Sequence, residues 1–391
     1  MSWTLSPEGL NLLLAGLHEA QLALRALWHA LGLAPDRHGQ PVWPFPWRVA
    51  GEMLALDAGH VRNVVGTLAC LAVALLCAVL ALFWRRRRQA LLLVALLPLL
   101  LAPWPAARLL FKPALPTSFH QNAAGFTAQG IVRGQRLYAQ HCLRCHGADG
   151  GGEGPDAARG PMWPPTLTGA LLWKRLDGEL FWHVRHGMQG REGVPTMPGF
   201  AAELRDDQIW EVLDFLQANA AGRTLQATGR WDYPVPMPEL VLQCRSGRAR
   251  TVRALQGQRL QVTVAGPRQA LPAEDPRLVS VVLAQPGSAP VDGSPECQMT
   301  DPAAGPALAL LLGVEPQGLG GYQLLADRDG WLRARGQPGQ AAWSADDLVC
   351  RSAAAPVDQR AAAPKAADGL DGLIRRMDAE PVRLLRGGFP H

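Results

Sequence analysis

The sequence predicts a multidomain chain: a two-span transmembrane helical hairpin, then an all-α unit, then a C-terminal α/β unit. Three observations predict it. Two uncharged apolar runs flank four adjacent arginines. A Cys-x-x-Cys-His run stands between two segments of helical periodicity. Apolar runs of strand length follow a proline-rich stretch. At 391 residues the chain is long enough for two or three folded units.

Residues 1–60 read as an N-terminal amphipathic, periplasmic segment. Gly9 to Leu33 has a helical apolar pattern broken by His18, Glu19, Arg25 and His29. Such a helix suits a membrane surface; a third, polar-containing span is the alternative. Met1 to Gly9 carries no basic stretch leading into a short apolar core, so no signal-peptide pattern is read there. His18 and His29 share a helical face. With His38 and His60 they lack the tight spacing of a metal site, and scattered histidines are the preferred reading.

Residues 61–111 read as the hairpin. Asn63 to Trp84 is 22 residues without a charge. At 1.5 Å per residue a helix of that length reaches roughly 33 Å, enough to cross a bilayer core. Gln89 to Ala107 is a second uncharged run, of 19 residues, containing Pro98, Pro103 and Pro105, so a kink is expected in its second half. Between them lies Arg85-Arg86-Arg87-Arg88. Four adjacent guanidiniums cannot sit in lipid and mark the cytoplasmic side, which puts both flanks on the outer face.

Residues 112–126 read as a linker and 127–222 as the all-α unit. The net charge of +5 is misleading, because four positives are the arginine run. Within 127–222 there are 9 Lys/Arg against 11 Asp/Glu, and no basic face that would suit a nucleic acid. The unit holds Cys142-Leu143-Arg144-Cys145-His146. Cys-x-x-Cys-His is the signature of covalent c-type haem attachment. Two thiols one helical turn apart can both form thioethers along one edge of a porphyrin. The adjacent His146 then ligates the iron from below. A bare Cys-x-x-Cys would also suit a dithiol or half a zinc site, but no second Cys-x-x-Cys exists to complete four thiolates.

Residues 125–222 resemble the small single-haem (class I) cytochrome c family. Gly134-Gln135-Arg136-Leu137-Tyr138, the haem motif, and Gly147-Ala148-Asp149-Gly150 follow in the family's order of first helix, motif and glycine-rich loop. Leu204 to Ala218 matches its C-terminal helix: Asp206 and Asp207 suit the first turn, and Ile209, Val212, Leu213 and Leu216 recur at helical spacing. Phe215 takes the usual aromatic position and Gly134 the helix crossing. The resemblance implies one haem c with a methionine as second axial ligand, on a loop before the last helix. Met197, in Val194-Pro195-Thr196-Met197-Pro198-Gly199-Phe200, fits that place; Met188, Met162, His183 and His186 are its rivals. The expected haem-binding residues are therefore Cys142, Cys145, His146 and Met197, with His146 and Met197 on the iron. Pro164 or Pro165 matches the proline whose carbonyl holds the proximal histidine. Trp163, Leu171, Leu172, Trp173, Leu180, Phe181 and Trp182 are expected to wall the pocket.

Residues 223–240 read as a proline-rich linker, 241–352 as the α/β domain and 353–391 as a flexible tail, with a short amphipathic helix near Leu370 to Met377. Arg259 to Val264 and Leu278 to Leu283 have strand character, Ala303 to Leu312 helical character, and Tyr322 to Ala334 reads as strand, Asp-Gly turn, strand. This order is loosely similar to a thioredoxin-like fold. Cys244, Cys297 and Cys350 allow at most one disulfide among themselves. Cys297 pairs with one of the other two or stays reactive.

The expectation is a membrane-anchored c-type cytochrome of a bacterial inner membrane. Its single His/Met-ligated haem stands in the periplasm and carries single electrons, so the chain is an electron carrier rather than an enzyme. The lipid bilayer and a membrane oxidase or dehydrogenase are its expected partners. The spans and the run into the haem unit (Phe111 to Gly134) are similar to cytochrome domains fused behind copper-resistance-D-like membrane regions. The competing reading is a haem-linked thiol- or metal-handling protein, or a redox sensor, working through the C-terminal domain.

Overall fold

The structure is a computed structural model and describes residues 7–50, 58–102, 104, 110–169, 172–173, 175–190, 193–245, 247, 249–266, 271, 273–285, 295–340, 342–350 and 369–382. Its contacts divide the chain into two units, Met1–Phe119 and His120–Leu384.

The first unit begins with helix α1 (Pro7–Ala30), a two-residue hairpin of β1 (Asp36–Arg37) and β2 (Gln40–Pro41), and strand β3 (Trp47–Val49). Helix α2 (Ala58–Phe83), a 3₁₀ turn at Arg85–Arg87 and helix α3 (Arg88–Leu101) follow, and β4 (Phe111–Pro113) pairs antiparallel with β3. The polar residues of α1 attach it to the rest. The Gln21 amide donates to the Val49 carbonyl at 3.1 Å and accepts from the Val49 N–H at 2.8 Å, extending the strand's pairing sideways. Arg25 Nη1 donates to the Phe119 carbonyl at 2.6 Å. Trp43 packs its ring against Phe45 and Phe119 at 5.1 and 4.7 Å.

The two-span hairpin is corrected here. Among the described residues one helix is long and apolar enough to cross a membrane, Arg62–Phe83. α3 lies against α2 but has 14 residues. That is roughly 21 Å, short of a hydrocarbon core of about 30 Å. Pro98 sits inside it, and it stops at Ala102, whose ψ of 134° is extended. The residue before a proline is pushed out of the helical region, and Pro103 comes next. The uncharged run to Ala107 therefore outlasts the helix; Pro103 and Pro105 to Ala107 lie outside the described residues.

The second unit contains helices α4 (Ala128–His141), α5 (Leu143–His146), α6 (Asp177–His186) and α7 (Asp206–Thr228), with a hairpin of β5 (Met188–Gln189) and β6 (Pro195–Met197) between the last two. α4 crosses α7 where a Cβ on Gly134 would stand 1.8 Å from the Glu211 carbonyl oxygen. Phe181, Ile209, Val212, Leu213 and Phe215 are buried around Tyr138 in one apolar cluster. Each such side chain removed from water contributes roughly 1.5–3 kcal/mol.

The C-terminal part is corrected as well. It is one mixed sheet of eight strands in the order β7-β14-β13-β10-β11-β12-β8-β9. The strands are β7 (Val235–Pro236), β8 (Val241–Cys244), β9 (Ala249–Thr251), β10 (Arg259–Ala265), β11 (Leu278–Ala284), β12 (Cys297–Met299), β13 (Gln323–Ala326) and β14 (Trp331–Gly336). β10 and β11 run parallel with Arg259 opposite Leu278. Their connection holds Pro267, Pro272 and Pro276 and forms no helix among the described residues, so the thioredoxin-like arrangement expected from the strand order is not what forms. Four short strands widen the sheet instead. Helix α8 (Ala304–Leu312) covers one face, with Leu308, Leu311 and Leu312 buried there, and helix α9 (Gly369–Ala379) buries Leu373, Ile374 and Met377 on the other.

Residues 223–240 are built into this sheet. α7 runs through Gly222 to Thr228, where the αL residue Gly229 ends it. Trp231 is 2% exposed and donates from its ring to the Leu311 carbonyl at 3.2 Å. β7 pairs with β14. Ala128, Ile131, Ala218, Ala221 and Leu225 belong to the same buried cluster as Leu260, Val262, Leu308 and Leu324, so the helices and the sheet share a core. Residues 353–368 and 383–391 of the expected tail lie outside the described residues.

Candidate haem-binding site

Two helices and a loop position the motif. Thr127 caps α4 by accepting from the Gly130 N–H at 2.9 Å. α4 delivers the chain to Cys142, and the single turn α5 carries Leu143 to His146. The residues that hold this turn are largely ones the sequence reading assigned no contact. The Tyr138 hydroxyl, buried, donates to the Gly147 carbonyl at 2.7 Å, and the Tyr138 ring lies 5.1 Å from that of Phe215. Asn219 Nδ2 donates to the Asp149 carbonyl at 2.9 Å, linking α7 to the glycine-rich loop. The Gly152 N–H donates to His146 and the Gly154 N–H to Cys145, at 2.8 and 3.1 Å. Gly152 has a φ of +90°, and a Cβ there would stand 2.4 Å from the Pro164 carbonyl oxygen, so this loop position needs a glycine. The signal for Tyr138 and Asn219 was in the sequence only as their spacing along two helices.

Cys142 and Cys145 are not joined to each other. Cys145 is exposed. Cys142 is half-buried, and burial, followed by the neighbouring Cys145, pushes its thiol up to about 12. His146 has its Nδ1 buried without a hydrogen bond of good geometry. The Pro165 carbonyl still lies close enough to draw the imidazole's pKa upward, against the larger lowering by burial. Of the two prolines the sequence left open, Pro165 is the one whose carbonyl bears on the ring.

Met197 lies in β6, half-buried, directly opposite Met188 in β5. The hairpin is tied to the end of α6. Gly187, at φ +79°, would bring a Cβ within 2.6 Å of the Met197 carbonyl oxygen. Beyond it the Phe200 N–H donates to Val184 at 3.0 Å and the Ala201 N–H to Arg185 at 3.1 Å. Phe200 meets His141, the residue before Cys142, edge to face at 6.1 Å. Cys142, Leu143, Leu180, Val184 and Phe200 all pack, partly open, on the apolar cluster around Phe181. The motif and the Met197 loop thus border one apolar surface.

The rivals are placed as follows. His183 Nε2 is 3.0 Å from Arg175 Nη1; burial first, then that cation, lower its pKa. His186 lies against the Trp182 ring at 4.0 Å. Met162 is 52% exposed. Among the expected pocket walls, Phe181 and Leu172 are buried, Leu180 and Trp173 are half-buried, and Trp163 is exposed. Trp173 stacks on Tyr233 at 4.8 Å. Leu171 lies outside the described residues.

The residues present fit a covalent haem. The two thiols stand one turn apart, His146 follows them with the Pro165 carbonyl acting on its ring, and the apolar cluster beside them is only partly closed. Among the described residues no group of three or more His, Cys, Asp or Glu side chains is arranged to hold a metal ion by itself.

Residues 129–216 match the family model described as cytochrome c oxidase, cbb3-type, subunit III. No curated protein matches the chain. A chain of the Kuenenia stuttgartiensis reducing HAO-like protein complex is similar at 22% identity over 28% of this chain and 51% of that one. Its TM-score is 0.22, so it bears on no point of the fold, and the present chain spans about half its length. The family match and the motif geometry agree: this segment is a cytochrome c domain, its cofactor is covalent haem c, and its work is haem-based electron transfer.

Proposed function

We propose that the chain carries single electrons through one haem, attached at Cys142 and Cys145 and ligated by His146 and Met197, to a partner in an oxidoreductase system. The observation that carries this reading is the α5 turn. It sets two free thiols and the His146 imidazole beside a partly open apolar cluster, on which Phe200, just beyond the Met197 strand, also packs. Haem supplies one-electron chemistry, and its potential rises when a methionine fills the sixth position. The protein's own part is to orient His146 through Pro165, to exclude water with Leu172, Phe181 and Leu180, and to keep the loop rigid through Tyr138 and Gly152. With both axial positions filled by side chains, the site suits electron transfer rather than oxygen chemistry.

The compartment we propose is the periplasmic side of a bacterial inner membrane, with α2 in the lipid; with one candidate span among the described residues the arginine run no longer orients the units that follow, and the placement rests on the disulfide. Leu75, Leu76, Leu82 and Phe83 on α2 are 59–82% exposed, an apolar surface that lipid would cover. Cys244 and Cys297 form a buried disulfide, which persists in oxidising compartments. Cys350 is fully buried and its thiol is pushed up to about 11 by that burial, so it supports no thiol chemistry. The test is a haem stain after denaturing electrophoresis of the full chain. Wild type stains, and a Cys142→Ser/Cys145→Ser variant does not. An unstained wild type would refute the reading. A reporter fused after the haem domain that is active only in the cytoplasm would refute the compartment.

A further inference from the structure

The β5–β6 hairpin places two thioether side chains, not one, at the position expected of the sixth ligand. Met188 and Met197 are direct partners across an antiparallel pair. Opposite residues in such a pair put their side chains on the same face of the ribbon, with Cβ atoms about 5 Å apart. The next pair, Gln189 with Pro195, follows across a bulge that skips Thr196; Met188, Thr196 and Met197 are half-buried, and Gln189 and Pro195 exposed.

The hairpin ties the backbones of the two methionines together. The Thr196 hydroxyl donates to the Met188 carbonyl at 3.2 Å, and the Gly190 N–H donates to Val194 at 2.8 Å. The contact of Gly187 with the Met197 backbone fixes both to the end of α6. Methionine has an unbranched, flexible side chain and a soft sulfur, so two of them on one face can exchange at a single position without backbone movement. The other candidate donors are engaged or remote: His183 with Arg175, His186 with Trp182, and Met162 on the surface.

We propose that Met188 is a reserve axial ligand, able to take the iron position when the Met197 sulfur leaves it. This rests on the haem reading of the site. Its consequence is that the sixth position stays closed with sulfur, so loss of one thioether does not convert the carrier into a ligand-binding haem.

The experiment uses the full chain with three variants: Met188→Leu, Met197→Leu and the double substitution. Leucine conserves volume and leaves the attachment motif untouched. The haem stain is read first; an unstained wild type would overturn the underlying reading rather than this one alone. The oxidised spectrum is then examined for the sulfur-to-iron charge-transfer band, and the reduced spectrum for a change on adding carbon monoxide. Each single variant is expected to keep the band and to ignore carbon monoxide. The double variant is expected to lose the band and bind carbon monoxide. A Met197→Leu protein that stains for haem yet loses the band as fully as the double variant would overturn the proposal. So would loss of the band in Met188→Leu alone.

Discussion

The crossing of α4 and α7 makes a quantitative prediction, because at that point backbone touches backbone. A Cβ on Gly134 would lie 1.8 Å from the Glu211 carbonyl oxygen, 2.5 Å from its carbon and 3.0 Å from Phe215 Cβ. Ordinary contact begins at 3.4 Å, so in Gly134→Ala the two helices must separate by about 1.6 Å. No side chain can rotate away to relieve this, because the obstructing atom is backbone in the second turn of a 23-residue helix. Overpacking a well-packed site costs typically 1–3 kcal/mol and occasionally more. The helix propensity of alanine over glycine returns about 1 kcal/mol. Because the obstacle is backbone the upper end applies, and the net expectation is a loss of up to about 2 kcal/mol, a factor of roughly 30 in the folding equilibrium. Gly305→Ala in α8 is the matched control. Its Cβ would meet only Leu283 Cδ2, at 3.8 Å, so the same substitution should leave stability unchanged or raise it by up to about 1 kcal/mol. Urea unfolding followed by circular dichroism reads both. If Gly134→Ala unfolds at the same urea concentration as Gly305→Ala, the helices are not in backbone contact and the reasoning fails.

Three further outcomes follow from other parts of the second unit. Replacing Cys244 and Cys297 by serine opens a loop of 53 residues; the chain-entropy account puts the loss at up to about 4 kcal/mol, read as a lower urea midpoint that reductant reproduces in the wild type. Asp214 is buried, accepts from Asn122 Nδ2 at 2.9 Å, and is raised well above the usual carboxylate range, chiefly by that burial. A raised folded-state pKa means the native protein binds the proton more tightly than the unfolded chain, so stability falls as pH rises from about 4 towards the folded value. Asp214→Asn should abolish that fall, and unfolding free energies at several pH values should then run parallel to the wild type at low pH and exceed it at neutral pH. Arg333 is 1% exposed and donates to Asp327 at 3.2 Å and to the carbonyls of Cys350 and Met377 at 3.3 Å each, as well as to that of Glu380. Arg333→Met strands a buried carboxylate and three carbonyls, so a loss of about 3–5 kcal/mol is expected, with hydrogen exchange accelerated across α9 before the rest of the sheet.

What the sequence could and could not disclose follows from the reach of each signal. The haem motif is a contiguous five-residue pattern, and α7 announces itself by Ile209, Val212, Leu213 and Leu216, so both were legible. The end of α7 was not. The sequence marks the helix only from Leu204 to Ala218, yet it continues to Thr228, straight through Gly222. A Cβ there would lie 1.9 Å from the Leu310 carbonyl oxygen, so the missing side chain serves the contact with α8 and not a turn. Leu225, which carries the apolar stripe onward, was the available hint. β10 and β11 are seven residues each and could be read; β7, β8, β9 and β12 have two to four and show no alternation to read. The cysteine pairing depended on them. Cys244 faces Cys297 only because β8 and β12 pair in that register. The second span is cut short for a local reason: Pro103 pushes Ala102 out of the helical region, so a 19-residue uncharged run yields a 14-residue helix.

The shared core gives the sheet a physical purpose. A haem unit of fewer than 100 residues buries a small share of its surface and is marginal by itself. Here α7, roughly 34 Å long at 1.5 Å per residue, serves two clusters. Ile209, Val212, Leu213 and Leu216 pack beside Phe181 and Tyr138, while Ala218, Ala221 and Leu225 pack with the strands. α4 divides in the same way: Ala128 and Ile131 join the sheet's core, and Tyr138, near its other end, holds the motif loop. The sheet therefore stabilises the haem unit from the first turns of α4. The attachment motif starts at the opposite end, about 20 Å along the helix, where a redox partner can approach without displacing a strand.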